Sequence, residues 1–185
     1  MSDTRDAAVA RPVGLLRRFA CMLYDGLLAF AALMLTTLAM TVVTNLLAAG
    51  LGIPGLALSV EHPLYPVFSL LLLGVAYAYF GWFWTHGGVT LGMQTWHIRL
   101  VGHDGRRVTW WLALRRFLVA LGQWILVLAG TQAWRLDLWP MAIAAGLIIL
   151  AGLAWSWFHP HKLMLHDVLS GTRLIRIPEY RKGLF

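Results

Sequence analysis

Two charged residues stand where the first long apolar run of the chain begins. In RRFACMLYDG, residues 17–26, Arg18 and Asp25 are seven positions apart. Seven residues are close to two helical turns, so on a helix both side chains lie on one face, roughly 10 Å apart along the axis. An arginine at this spacing reaches back toward the acid, and we expect a further group to join the two.

Other groupings of reactive side chains are too incomplete to predict catalysis. His159, His161 and His166 resemble a metal cluster, but Pro160 interrupts their geometry and no cysteine or carboxylate pair completes a four-ligand site. His166 and Asp167 resemble part of a hydrolase set, yet adjacent side chains diverge in any regular backbone. The sequence contains no phosphate loop, HExxH motif or nucleophile elbow. We therefore predict that the chain is not an enzyme and uses no metal or cofactor.

The composition predicts an integral membrane protein, whose helices would have to position these charges. The chain has 185 residues, of which 59% are hydrophobic and only 12% charged, far from ordinary soluble usage. Four apolar runs approach the roughly 20 residues that span a bilayer, and they cover about 21–47, 65–84, 111–129 and 139–158. A cleaved signal peptide is the rival interpretation of the first run, but that run is too long for one and contains Asp25.

The predicted fold is therefore an all-α integral membrane protein with four transmembrane helices. A membrane domain of residues 19–177 is expected between an N-terminal tail, 1–18, and a C-terminal tail, 178–185. The third helix is the weakest candidate for a span, because Arg115 and Arg116 in its first turns must extend to the headgroups.

The basic residues predict how the chain is oriented. Of the fifteen Lys and Arg residues, all except Arg135 lie before the first run, between the second run and the first turns of the third, or after the fourth. The positive-inside rule then places both termini and the middle loop in the cytoplasm, so the charge of +7 requires no nucleic-acid partner. Four arginines are expected to contact anionic lipid headgroups, at about 1 kcal/mol each, or only to fix the topology: Arg106, Arg107, Arg115 and Arg116.

Short polar segments predict a small basic β patch on the cytoplasmic side. Residues 98–101 and 106–109 flank Asp104 and Gly105, which is the pattern of a hairpin with a tight turn. Residues 172–177, TRLIRI, lie between Gly171 and Pro178 and offer an additional strand.

Three stretches of this sequence resemble the RDD family of bacterial membrane proteins, named for one Arg and two Asp. They are RRFACMLYDG, YFGWFWTHGGVTLGMQTWHIRLVGHDGRRVT and LHDVLSGTRLIRI, in the family's order. The resemblance assigns the family's residues to Arg18, Asp25 and Asp167, and it implies a multi-pass protein of the bacterial inner membrane. Val89 and Gln94 depart from the pattern, because such sequences often have Gln and a basic residue there.

The resemblance predicts a triad at the inner face of the membrane. Asp167 follows the fourth apolar run on the same side as Arg18 and Asp25, and one guanidinium can bridge two carboxylates. This triad would carry a net charge of −1.

Two functions fit these expectations equally well. In one, an oligomer transports a cation, proton or small solute, as implied by RDD relatives described as cation/proton antiporters. In the other, the protein is a membrane scaffold, assembly factor or regulator with a basic cytoplasmic face, and it binds a second copy or another membrane protein. Transport would need a deeper polar pathway, for which the candidates are Thr37, Thr41, Thr44, Asn45 and Gln123.

Overall fold

The computed structural model describes residues 13–52, 62–158 and 163–177, with the backbone alone at 156–158. Outside these residues lie positions 1–12 of the predicted N-terminal tail, the whole predicted C-terminal tail, 178–185, and the histidines His159 and His161. In chain order the elements are α1 (Leu15–Gly50), α2 (Tyr65–His86), α3 (Leu91–Thr95), β1 (Ile98–Gly102), α4 (Trp110–Arg135), α5 (Trp139–Phe158), α6 (Leu165–Ser170) and β2 (Thr172–Arg176).

All four apolar runs are helical, as predicted. Three of the helices, α1, α2 and α4, are long and apolar enough to cross a membrane, with mean hydropathies of 2.2, 1.6 and 1.7 in their most apolar 18 residues. The fourth helix, α5, has a shorter apolar segment over Trp139–Trp155. The chain is therefore a mostly helical, membrane-like protein, and the fourth crossing remains a prediction.

Helix α1 is much longer than a bilayer core is thick. Its 36 residues extend for about 54 Å at 1.5 Å per residue, whereas the hydrocarbon core is about 30 Å thick. The helix packs against α2 and α3, and α4 packs against α5, α2 and α6. One face of the first turns of α1, with Arg18, Cys21 and Asp25, is buried by protein, although most of the helix is not.

The two strands form an antiparallel sheet in which Leu100 faces Leu174 and Gly102 faces Thr172. The expected hairpin is wrong in its second strand: a turn does follow β1, but residues 106–109 are not a strand. They lead directly into α4, whose N-cap is Thr109, so β2 takes the position beside β1. The predicted strand is confirmed over Thr172–Arg176: Thr172 and Leu174 on one face are buried, whereas Arg173 and Ile175 on the other face are partly exposed.

A small core lies where the ends of α1, α2 and α4 meet the sheet. Residues 87–109 and 163–177, which include α3, β1, α6 and β2, are called the sheet unit below. The buried core joins the sheet unit to the helices through Val13, Cys21, Trp84, Val89, Met93, Ile98, Leu100, Val108, Ala113, Phe117 and Leu174. This core fixes the sheet unit against the helix ends that carry the charged residues.

Candidate functional site

The short helix α6 places Asp167 in the middle of the protein. The backbone is extended at Met164, and the Oδ2 atom of Asp167 accepts a hydrogen bond from the Met164 amide at 3.4 Å. The helix ends at Gly171, whose φ of 69° is the left-handed conformation that glycine adopts without strain. Asp167 is thereby held in the first turn of α6 with its side chain completely buried.

Two arginines from different helices converge on Asp167. Arg18 of α1 donates from Nη1 to Oδ2, and Arg116 of α4 donates from Nη1 to Oδ1 at 3.0 Å. Both guanidinium groups are buried, where ionic hydrogen bonds are strong and an unpaired charge is costly. Asp167 therefore connects α1 and α4 to the sheet unit.

A histidine also contacts the same carboxylate. The Nε2 atom of His166 lies 3.2 Å from Oδ1 of Asp167, so the expectation that these adjacent side chains diverge is wrong. Burial by itself raises the pKa of Asp167, because it disfavours the charged form. The hydrogen bond from His166 and the charges of Arg116 and Arg18 outweigh burial, so the pKa of this carboxyl lies well below its usual range. Asp167 is consequently an anion at neutral pH.

Arg116 is part of the buried cluster, which corrects its prediction as a lipid contact. Only 8% of it is exposed, and its Nη1 also donates to the Thr172 hydroxyl at 2.6 Å. The guanidinium lies over the ring of Trp84, 5.7 Å from the centroid, which is within cation–π range. The Thr172 hydroxyl is also 2.7 Å from that of Ser170. The physical reason for the error is that α6 and β2 cover the first turns of α4.

Asp25 has a different set of partners, so the predicted triad is wrong in one of its contacts. Its Oδ1 accepts the Gly92 amide at 2.8 Å, and its Oδ2 accepts the Thr90 hydroxyl at 2.5 Å and the Cys21 thiol at 3.4 Å. The Arg18 guanidinium does not pair with Asp25: it donates to Asp167 and, from Nε, to the Val13 carbonyl at 3.1 Å.

The contact between Asp25 and α3 depends on two residues that sequence reasoning missed. Thr90 is the N-cap of α3, since its Oγ1 accepts the Met93 amide at 3.2 Å while its proton goes to Asp25. Gly92 brings its backbone against α1, because a Cβ atom there would lie 2.8 Å from Oδ1 of Asp25. A threonine directly before an apolar helical turn is a typical N-cap pattern, so the sequence did contain a signal for the role of Thr90.

The complete cluster contains two acids and two bases. Arg18, Asp25, Arg116 and Asp167 are all buried, and they sum to zero formal charge. The net charge of −1 expected for a triad is thus corrected, because that expectation omitted Arg116. Each carboxylate oxygen of Asp25 and Asp167 already accepts at least one hydrogen bond from the protein.

Comparison with known proteins gives the family. The sequence model described as "RDD family" matches residues 12–171, which is most of the chain. The chain belongs to the RDD family. No curated protein and no solved structure matches it. The three charged residues that the family resemblance singles out are all buried at the junction of the helices with the sheet unit.

The predicted pathway residues of this RDD protein do not form a polar channel in the described part of the chain. The hydroxyls of Thr37, Thr41 and Thr44 donate to carbonyls of their own helix at 2.9 Å. Asn45 likewise donates to the Thr41 carbonyl at 2.8 Å, and Gln123 is exposed on the outside of α4. Such bonds to the preceding turn are the usual arrangement of Thr in membrane helices.

The remaining residues singled out by sequence lie on the surface or in the core. Arg106 and Arg107 are exposed, and Arg106 lies 3.5 Å from Asp104 in a surface ion pair. Arg115 is exposed and donates to the Leu169 carbonyl at 3.2 Å.

The two departures from the family pattern avoid the charge cluster. Val89 is buried in the core, whereas Gln94 is exposed on α3. No group of three or more His, Cys, Asp or Glu residues suited to a metal occurs among the residues that the structure describes.

Proposed function

We propose that this RDD protein is a non-catalytic membrane scaffold or regulatory protein, and that its charge cluster holds the sheet unit against the membrane helices. The proposal extends to four crossings of the bacterial inner membrane, with both termini and the sheet unit in the cytoplasm. Its support is the distribution of basic residues described above and the apolar character of the helices.

One observation carries the choice of a scaffold over a transporter. Asp167 is occupied by two arginines, and Asp25 by a hydroxyl, an amide and a thiol, within a cluster whose formal charges cancel. A transport site must exchange these partners for an ion and must connect to both sides of the bilayer. The threonines of α1 supply no such connection, since they bond their own helix.

The surface of the protein suits two kinds of partner. The exposed arginines Arg106, Arg107 and Arg115 are suited to anionic lipid headgroups by charge. The apolar faces of α1 and α5 are largely exposed, and they are suited to lipid tails, to a second copy of the chain or to another membrane protein.

Ion flux in proteoliposomes tests the proposal against transport. Purified protein should give no flux above protein-free vesicles when Na⁺, K⁺, Li⁺ and pH gradients are imposed in turn. A reconstituted cation/proton antiporter of known activity, measured in parallel, shows that the vesicles report flux. Flux that Asp25→Asn abolishes in a folded protein would overturn the scaffold assignment.

Hydrogen exchange provides the positive part of the test. Asp167→Asn should increase amide exchange across β1 and β2, because the sheet unit loses its anchor to Arg18 and Arg116, while the middle of α4 stays protected. Asp104→Asn, which alters only an exposed pair with Arg106, is the matched control and should leave the exchange pattern unchanged. Equal exchange in both variants would contradict the anchoring role.

A further inference from the structure

A cavity lies between α4 and α5, at the end of these helices remote from the charge cluster. Its volume is about 430 Å³, within the range of about 300–1,000 Å³ that is usual for small-molecule sites. The two helices approach closely beside it, since a Cβ atom added at Gly130 would lie only 3.0 Å from the Cβ of Ala145. The walls are formed mainly by apolar side chains, which include Leu126, Val127, Trp134 and Ile149.

The cavity is long in the direction of the helix axis. Its lining on α4 extends from Leu126 to Arg135, which is about 14 Å at 1.5 Å per residue. This length is close to half of the roughly 30 Å hydrocarbon core, and therefore to one leaflet. Trp134 and Trp139 have their ring centroids 4.1 Å apart beside Arg135, and tryptophan is enriched at the level of the headgroups. In the proposed topology the cavity thus extends from the outer headgroups toward the centre of the bilayer.

Arg135 supplies a positive charge at the headgroup end of the cavity. It is exposed and lines the cavity, and it is the one Lys or Arg of the sequence on this side of the predicted membrane. Among the residues that the structure describes, no carboxylate pairs with its guanidinium, not even that of Asp137 in the adjoining turn. A planar guanidinium matches a phosphate in geometry as well as in charge.

We propose that this cavity binds one acyl chain of an anionic phospholipid, whose phosphate contacts Arg135. An apolar cavity as long as one leaflet, with a cation at its headgroup end, matches both parts of such a lipid. A soluble anion would use Arg135 alone, and a polypeptide segment would bring backbone polar groups into an apolar space. The site goes beyond the proposed scaffold role, because no residue of the charge cluster or of the sheet unit takes part in it.

Photo-crosslinking tests the site in the full-length protein. The protein is reconstituted into phosphatidylcholine vesicles that contain a trace of phosphatidylglycerol with a diazirine near the end of one acyl chain. Mass spectrometry of digests should find adducts within residues 126–149, and their yield is divided by that on the lipid-exposed face of α1. Unlabelled phosphatidylglycerol should suppress this ratio at a concentration at least about tenfold lower than phosphatidylethanolamine, because only the former has a net negative charge.

Two substitutions separate the contribution of charge from that of shape. Arg135→Ala removes the cation and leaves the cavity, and it should raise the suppressing concentration of phosphatidylglycerol at least about tenfold, whereas Arg135→Lys should raise it less. Gly146→Leu should abolish the adducts within residues 126–149, because the new side chain enters the cavity, where no atom lies within 4 Å of an added Cβ. Gly122→Leu on α4 also has no atom within 4 Å but does not line the cavity, so this control should behave like wild type. Adducts on α1 verify that each variant is inserted.

Several outcomes would overturn the lipid site. Equal suppression by the two unlabelled lipids, or a wild-type response of Arg135→Ala, would show that the phosphate is not recognised. Wild-type adducts in Gly146→Leu would show that the acyl chain lies elsewhere. Adducts that increase in Glu61→Gln would assign the cavity to residues 53–61 of the chain, and adducts that decrease as protein replaces lipid would assign it to a second copy. None of these outcomes bears on the scaffold proposal, which is tested at the opposite end of the helices.

Discussion

The membrane helices and the sheet unit differ in how much of their surface the protein itself covers. No residue is buried in the most apolar 18-residue stretch of α1, and only 11% are buried in those of α2 and α4. In contrast, the largest completely buried side chains among the described residues all belong to the sheet unit, and four of the six are polar: Ile98, Leu100, Thr90, Thr172, Asp167 and Ser170. The helices leave their apolar surface to the surroundings, whereas the sheet unit is ordered by polar contacts that exclude solvent.

The charge cluster is the point at which these two regions meet. The helices contribute the buried cations Arg18 and Arg116, and the sheet unit contributes Asp167 and the donors Thr90 and Gly92. Each region therefore supplies hydrogen-bond or ionic partners for the buried charges of the other. Substitutions at the junction are therefore expected to change the free energy of unfolding more than substitutions within either region.

The largest effect is expected for Asp167→Asn. This change leaves two buried guanidinium groups without a carboxylate, and breaking a buried pair from one side costs about 3–5 kcal/mol. The free energy of unfolding in detergent micelles should fall by about that amount. Asp104→Asn, in an exposed pair, should change it by less than about 0.5 kcal/mol. Equal losses in the two variants would show that the junction has no special role.

The contact between α1 and α3 should respond next most strongly, to Gly92→Ala. The added Cβ would lie 2.8 Å from Oδ1 of Asp25 and 2.9 Å from the Cys21 carbonyl, and overpacking of this kind costs about 1–3 kcal/mol. Gly74→Ala in α2 has no atom within 4 Å of the new Cβ, so it should be neutral or slightly stabilising. The free energies of unfolding of the two variants in micelles test this difference. Equal values would show that α3 can move away from Asp25.

Stability should also depend on pH through Asp167. Its pKa in the folded protein is depressed by His166, Arg116 and Arg18 below the unfolded value of about 3.9. The unfolded state therefore binds more protons than the folded state once the pH falls below about 4. The stability that ionised Asp167 contributes is lost in that range and is fully present above it. One such group contributes a slope of at most about 1.4 kcal/mol per pH unit. Unfolding measured down to about pH 3 should show a smaller slope for Asp167→Asn than for wild type.

The smallest effect is the coupling expected between Arg18 and Asp25. Mutant cycles should give a coupling free energy of about 0.5–3 kcal/mol for Arg18 with Asp167, which are in contact, and additivity within about 0.5 kcal/mol for Arg18 with Asp25. Arg18→Ala, Asp25→Asn, Asp167→Asn and the two double variants that contain Arg18→Ala provide both cycles from one set of unfolding curves. Strong coupling of Arg18 with Asp25 would restore the triad expected from sequence.

The apolar runs predicted the helices well because hydropathy is a local property of the sequence. The charge cluster was only half predictable. Asp167 was assigned to Arg18 through the family resemblance, and the structure forms that pair. Arg116 was missed because its burial depends on α6 and β2, which lie more than 45 residues further along the chain. Asp25 was given the wrong partner because Arg18 is near it on the same helix face, whereas Thr90 is 65 residues away along the chain.

The pairing of Arg18 with Asp167 also sets an order of events during synthesis. The two residues are 149 positions apart, so at 5–20 residues per second the ribosome makes the acid roughly 7 to 30 seconds after the base. Throughout that interval Arg18 of α1 is present without Asp167, its partner in the folded protein. Closure of the junction therefore follows the synthesis of all four long helices, because Asp167 lies after the last of them.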